Sequence, residues 1–262
     1  MKGRGDRLAG ELAGHELDRM LVTDLVNVRY LTGFGGTNGV CVCGPETRLL
    51  LTDFRYTERA EAEVEGWEVV TVSDDWLGGI AERLAGRIGF EDDHASVRFM
   101  ERLRGKLGEG AELIAAGGAV EKLRRVKDEE EQRAIGVAAE LSDTVWRETL
   151  EAGLAGRRER DVARAAEARI RELGGEPSFP AIVAAGSNGA LPHAEPGDRL
   201  IERGDLVVFD MGAKLDGYCS DGTRTFAVGE PNGRGAEVYE LVREAQTAAL
   251  EAVRAGVGGE EL

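Results

Sequence analysis

Two aspartates, Asp210 and Asp221, bracket the stretch DMGAKLDGYCSD, which runs directly into GTRTF. Asp216–Gly217 between them is a strong signal for a two-residue β-hairpin loop. If that pair forms the loop, Asp210 faces Thr223 across the ribbon and Asp221 is their diagonal neighbour. If Leu215–Asp216 forms it, Asp210 faces Asp221 directly. Either loop puts both carboxylates on one side of the ribbon. Carboxylates that close repel each other unless one is protonated or a cation lies between them. A divalent ion removes the conflict, and paired oxygen ligands suit Mn2+, Co2+ or Zn2+ in a two-metal hydrolytic centre. The plainer alternative is a wet hairpin face on which each aspartate is hydrogen-bonded to turn amides.

The surroundings add to this chemistry. Strand alternation places Thr223 and Thr225 on the same face as Asp221, where their hydroxyls can orient its oxygens. His193 lies in ALPHAEPGD, a proline-flanked loop upstream of the first aspartate. From there an imidazole can polarise a carbonyl or carry a proton. His15 and His94 sit in polar contexts and are expected at the surface. GFGGTNG at 33–39 has neither the G-x-G-x-x-G register nor the Lys-Ser/Thr of a phosphate loop, and neither G-x-S-x-G nor H-E-x-x-H occurs.

These residues need a scaffold. In the first third, residues 22–34, 39–44 and 47–56 resemble strands, followed by a helix at 56–66, a strand at 67–72, a helix near 76–86 and a short strand at 87–91. Interleaving of this kind indicates an α/β layer with a mixed or parallel sheet. Residues 113–132 lead out of it, with a turn at Gly117–Gly118. From Asp128 on, Ile135, Ala138, Ala139, Ser142, Val145, Trp146 and Thr149 recur with helical spacing. A second helix is expected from Glu159 to about Leu173, ending at Gly174–Gly175. A strand at 181–186, a polar loop, the hairpin 206–228 and a last helix with Val238, Leu241, Val242, Ala245 and Ala249 on one face complete the order. That leaves a sheet of three strands with one clear covering layer, near the minimum for independent stability.

The 262 residues carry 33 basic and 49 acidic side chains, a formal charge of −16. A field of that sign repels phosphate backbones, so nucleic acid is not an expected partner. Most of the acidic excess, including the run Asp128–Glu131, is expected to be solvated helix surface. No apolar stretch reaches the length of a membrane span, and the N-terminus lacks a secretory h-region, so a cytoplasmic location is expected. The three cysteines, Cys41, Cys43 and Cys219, are expected to be reduced and buried.

The string LPHAEPGDRLIERGDLVVFDMGAKLDGYCSDGTRTFAVGEP resembles the first half of the catalytic domain of the pita-bread metallopeptidases, the Xaa-Pro aminopeptidases and Xaa-Pro dipeptidases (prolidases). VRYLTGFGGTNG and LLLTDFRYTERA are similar to the creatinase-type N-terminal domain of those enzymes, and EKLRRVKDEEEQRAI to their linker. The resemblance implies an α/β creatinase-type domain over 1–120, a mixed sheet with flanking helices, and an α+β first half of a pita-bread domain over 121–262. It makes Asp210 and Asp221 ligands of a dinuclear centre holding Mn, Co or Zn, and His193 the histidine beside the attacked carbonyl. Proline-containing peptides would be the substrates and a homodimer the assembly.

The family supplies three more ligands, a histidine and two glutamates, downstream of this hairpin. Only 41 residues follow Asp221 here, and none is histidine. The expectation is therefore a parent Xaa-Pro peptidase whose 262-residue chain binds its metals incompletely and is inactive. The alternative is a non-catalytic pita-bread module for peptide binding or dimerisation. Creatinase-like hydrolysis without metal is a third option, disfavoured because it has no use for the aspartate pair.

Overall fold

The computed structural model describes residues 3–261. It resolves into two compact units, Met1–Lys127 and Asp128–Leu262.

The first unit is a mixed sheet between two helical layers. In chain order its elements are α1 (Arg4–Gly14), β1 (Arg19–Val22), α2 (Leu25–Thr32), β2 (Gly39–Gly44), β3 (Thr47–Thr52), α3 (Thr57–Glu63), β4 (Glu68–Thr71), α4 (Trp76–Ala81), β5 (Arg87–Phe90), α5 (Val97–Arg104), β6 (Glu112–Ala115) and α6 (Ala119–Arg125). The strand order is β4-β3-β2-β1-β5-β6. Only β2 runs antiparallel to its two neighbours. β2 reads GVCVCG and is buried throughout. Cys41 and Cys43 enter one core with Leu8, Leu12 and Met20, while Val40 and Val42 enter the other with Leu21, Leu51 and Ile80. A strand apolar at every position therefore belongs in the middle of the sheet.

Residues 25–32, expected as strand, form a helix. The β-branched and aromatic content of LVNVRYLT suggests extended chain, but its ends are helix signals. The Asp24 carboxylate caps the Val26 N–H at 3.0 Å, and Gly33 closes the helix at φ 83°. α1, β1, α5 and the edge strand β6 are elements not expected from the sequence, the first expected strand touching β1 only at Val22.

β1 and β5 are tied together by a buried carboxylate. Glu91, which follows β5, accepts from the Thr23 and Asp24 amides at 2.6 and 2.8 Å, from the Thr23 hydroxyl at 3.1 Å and from Asn27 at 2.7 Å. Burial pushes its carboxyl above the ordinary glutamate range, against those donors, which favour the charged form. A raised folded value means that Glu91 contributes stability below its unfolded value and loses that contribution as pH rises through the folded one. Relative to Glu91→Gln, the wild-type chain should lose stability with rising pH across that window, read by denaturant unfolding from about pH 4 to 8. Parallel curves for the two proteins would show that Glu91 does not titrate between the folded and unfolded states.

The second unit contains α7 (Glu129–Glu151), α8 (Glu159–Glu172), β7 (Glu176–Pro177), β8 (Ile182–Ala185), a 3-10 turn (Gly186–Ala190), β9 (Leu206–Met211), β10 (Ala213–Leu215), β11 (Tyr218–Cys219), β12 (Gly222–Ala227) and α9 (Gly235–Ala252). Asp128 and Glu131 form a reciprocal capping box at the start of α7, with bonds of 2.9 and 3.0 Å. Glu131 is buried, so this end of the acidic run is not the solvated surface expected from composition.

The single expected sheet is two three-stranded sheets, β12-β9-β8 and β11-β10-β7. The long hairpin leaves one and enters the other at Gly212 and at Ser220–Asp221. α7 and α8 cover one face of β12-β9-β8 through Val145, Trp146, Val162, Ala166 and Ile170, packed on Val183, Val207, Phe209 and Met211. Trp146 meets Phe209 edge-on at 6.5 Å and lies 5.0 Å from the Arg224 guanidinium. α9 buries none of its residues, and Val238, Leu241 and Val242 are exposed.

Candidate functional site

The hairpin register follows from its turn. Asp216 and Gly217 have φ of 49° and 82°, the left-handed pair of a type I′ turn, and Leu215 pairs with Tyr218. That register places Asp210 opposite Thr223, Phe209 opposite Arg224 and Val208 opposite Thr225. Of the two loops the sequence allowed, Asp216–Gly217 is the one that forms. Burial alternates along β9: Val207, Phe209 and Met211 enter the core, and Leu206, Val208 and Asp210 take the opposite face.

On that opposite face the Thr223 hydroxyl donates to the Asp210 carboxylate at 2.9 Å. Asp210 is half-buried. Asp221 lies just before β12 and is exposed. Thr225 is two pairs further from the turn than Thr223, opposite Val208. His193 is exposed in the turn after the 3-10 segment. That segment folds over the Asp210 face: a Cβ added at Gly189 would touch the Val208 side chain at 3.4 Å and the Ala184 carbonyl at 3.5 Å. His15 and His94 are exposed, as expected.

The backbone just before Asp221 is fixed by the hydroxyls of Ser142, Ser178 and Ser220. The Ser220 hydroxyl meets that of Ser142 at 2.7 Å and accepts from the Ala213 amide at 2.9 Å. Ser178 donates from its hydroxyl to the Ser220 carbonyl at 3.0 Å and from its amide to the Gly212 carbonyl at 3.0 Å. These bonds take up the polar groups released where the hairpin changes sheets. Cys219, expected to be buried, is exposed, because the period-two alternation of β11 turns it outward.

Asp210 and Asp221 fit a divalent cation in kind, as hard, anionic oxygen donors. Among the described residues no group of three or more His, Cys, Asp or Glu side chains converges, so these residues do not close a coordination sphere. Also among the described residues, no helix is long and apolar enough to cross a membrane.

One anionic residue of this region was missed in the sequence. Glu159, the first residue of α8, is fully buried and accepts from the Ala185 amide at 2.7 Å, from Asn188 at 3.0 Å and from the Gly197 amide at 3.1 Å. In GRRERDVA it reads as one more surface acid of a charged helix start. No local signal separates it from its neighbours.

Comparison with known proteins agrees with this layout. The sequence pattern of the Creatinase/Prolidase N-terminal domain matches residues 4–126, and that of Metallopeptidase family M24 matches residues 133–262. The chain is 35% identical over 265 residues to the Xaa-Pro dipeptidase of Pyrococcus furiosus, covering 100% of this chain and 75% of that protein. Its fold superposes on the Xaa-Pro dipeptidase from Bacillus anthracis with a TM-score of 0.94 at 34% identity, over 98% of this chain and 74% of that one. The X-Pro aminopeptidase from Thermotoga maritima gives a TM-score of 0.88 at 34% identity, over 97% and 73%. The mixed sheet with flanking helices and the hairpin-bearing half are thus those of a pita-bread-like, prolidase-type fold, and the chain belongs to metallopeptidase family M24, with a creatinase/prolidase-type N-terminal domain.

Proposed function

We propose that the face of β12-β9-β8 bearing Asp210 and Asp221 is the metal- and substrate-binding face of an Xaa-Pro peptidase. The observation that carries this reading is the Asp210–Thr223 pair, on the side of the sheet turned away from the α7–α8 core. A carboxylate that served only solubility would need no hydroxyl holding one of its oxygens. Asp210 and Asp221 would be the ligands, with Thr223 fixing the direction of the first and Thr225 extending the hydroxyl row. A divalent ion bound there would polarise the scissile carbonyl and acidify a water molecule.

The remaining roles belong to the chain. His193, on the loop folded over this face, would donate a hydrogen bond to the substrate carbonyl and hold it in line with the aspartates. The tertiary amide before proline has no N–H, so recognition must come from its carbonyl and ring, which a loop-borne imidazole over an apolar strand face can provide. Leu206 and Val208, both half-buried, are the apolar side chains of β9 on that face.

Paramagnetic Mn2+ added to the 15N-labelled chain tests the assignment. The expected result is broadening centred on Asp210, Asp221 and Thr223, followed on addition of Gly-Pro by shifts at His193 and Val208. Broadening centred instead on the acidic N-terminus of α7 would overturn it. With two carboxylates as its ligands the chain is expected to bind Mn2+ weakly and to release little proline from Gly-Pro. Robust turnover would overturn that expectation.

A further inference from the structure

We infer that Glu159 is the positioning residue of the His193 loop: one buried carboxylate joins the two feet of the segment that carries the imidazole. The inference rests on the proposed role of His193. It starts from an energetic oddity. A fully buried carboxylate is costly unless its lone pairs are taken up, and a partner cation is the usual remedy. Glu159 has no ion pair among the described residues. Every hydrogen bond it receives comes from a neutral donor: the Ala185 and Gly197 amides and the Asn188 side chain, which reaches both oxygens at 3.0 and 3.1 Å.

The positions of those donors give the carboxylate its role. Had Glu159 served only the N-terminus of α8, its bonds would run to the first-turn amides of its own helix. They run instead to the end of β8, to the 3-10 turn and to the residue where the chain returns. Residues 186–196 are thus a short loop whose feet meet on one side chain, the geometry of a compact surface loop. The returning foot is further fixed by the Glu159 amide bonded to the Arg199 carbonyl and the Arg160 amide bonded to the Gly197 carbonyl, both at 3.1 Å. Between the feet the loop lies against Val208 and Ala184 on the Asp210 face. Leu191 N–H bonds to the Asn188 carbonyl at 3.0 Å, and the next turn, which bears His193, is closed by Ala194 N–H to the Leu191 carbonyl at 3.3 Å. The path from Glu159 to His193 therefore passes through Asn188 and two successive turns.

Backbone 15N relaxation and amide hydrogen exchange on the 262-residue chain test this. In Glu159→Gln a single oxygen acceptor remains. The Ala185 bond should persist, while Gly197 exchange rises at least about tenfold as its acceptor becomes an amide nitrogen. In Glu159→Ala the His193 order parameter should fall from the rigid value of about 0.85 to below about 0.6, with Glu159→Gln between. Thr223 and Arg224 in the hairpin should not change. A purely structural role for Glu159 would lower the unfolding midpoint and leave His193 order untouched. Equal His193 order in wild type and Glu159→Gln, or a His193 already mobile in wild type, would sink the inference. If the alanine variant does not fold, the glutamine variant, which keeps the volume, decides. Failure of the functional reading looks different: Mn2+ broadening would miss Asp210 while His193 order still depended on Glu159.

Discussion

Replacing Gly212 with alanine is expected to destabilise the second unit by at least about 3 kcal/mol, a loss reserved for substitutions that force backbone apart. Gly212 lies between β9 and β10, where the hairpin passes from one sheet to the other. A Cβ built there would fall well inside contact distance of the Ser220 carbonyl and the Ser178 hydroxyl. The carbonyl belongs to the opposite strand and cannot swing aside as a flexible side chain could. Relief would break the bond between Ser178 and Ser220 and loosen the buried hydroxyls behind Asp221. Gly136→Ala is the matched control. That glycine lies inside α7 with nothing within 4 Å of its added Cβ, and alanine there should stabilise by up to about 1 kcal/mol. Denaturant unfolding of the two variants should thus shift in opposite directions. A Gly212→Ala protein as stable as wild type would mean that the strand crossover is not close-packed.

The hairpin was the most legible part of the molecule because its information is local. An Asp-Gly pair requires left-handed backbone at two adjacent positions, and the turn fixes the register over the whole ribbon. The residues alone therefore narrow the cross-strand partner of Asp210 to Thr223 or Asp221. The Gly212 crossover was not legible. A glycine flanked by apolar strand residues reads as a tolerated interruption, and β7, the two-residue strand that receives the hairpin, carries no pattern of its own. α2 failed for a related reason. LVNVRYLT favours strand residue by residue, but Asp24 and Gly33 at its ends, and the buried bond from Asn27 to Glu91, decide for helix.

Side chains whose roles depend on distant partners stayed hidden. Glu131 and Glu159 occur in highly charged helix starts, and both are buried. Glu131 could have been found from the Asp-x-x-Glu spacing of a capping box. Glu159 could not, because its donors lie 26 to 38 residues downstream. The same asymmetry applies to the proposed site: its aspartates stand out as a pair by spacing, and Glu159 only by its contacts.

Asp210→Asn should separate stability from binding, with opposite signs. In the proposed site the metal-free Asp210 and Asp221 are neighbouring like charges, so neutralising one removes a repulsion. The asparagine carbonyl can still accept from the Thr223 hydroxyl, which now reaches the Asp210 carboxylate at 2.9 Å. The unfolding free energy should therefore stay the same or rise by up to about 1 kcal/mol. The response to Mn2+ should go the other way, because the variant loses a charge and a ligand. The weak binding expected of the wild-type chain should fall below what the titration detects, a larger loss than removing an outer-shell partner brings. Thr223→Val provides the intermediate case. It keeps the shape of the side chain and both aspartates but leaves the Asp210 oxygen undirected, and should weaken Mn2+ by about tenfold. Glu140→Gln, which removes an exposed acid of α7, should change neither quantity and controls for the overall charge of −16. Calorimetric titration with Mn2+ alongside unfolding of the metal-free proteins gives both readings. Equal Mn2+ affinity in wild type and Asp210→Asn would reduce the aspartate pair to two solvated acids, and a large loss of metal-free stability would mean that Asp210 is held by more than Thr223.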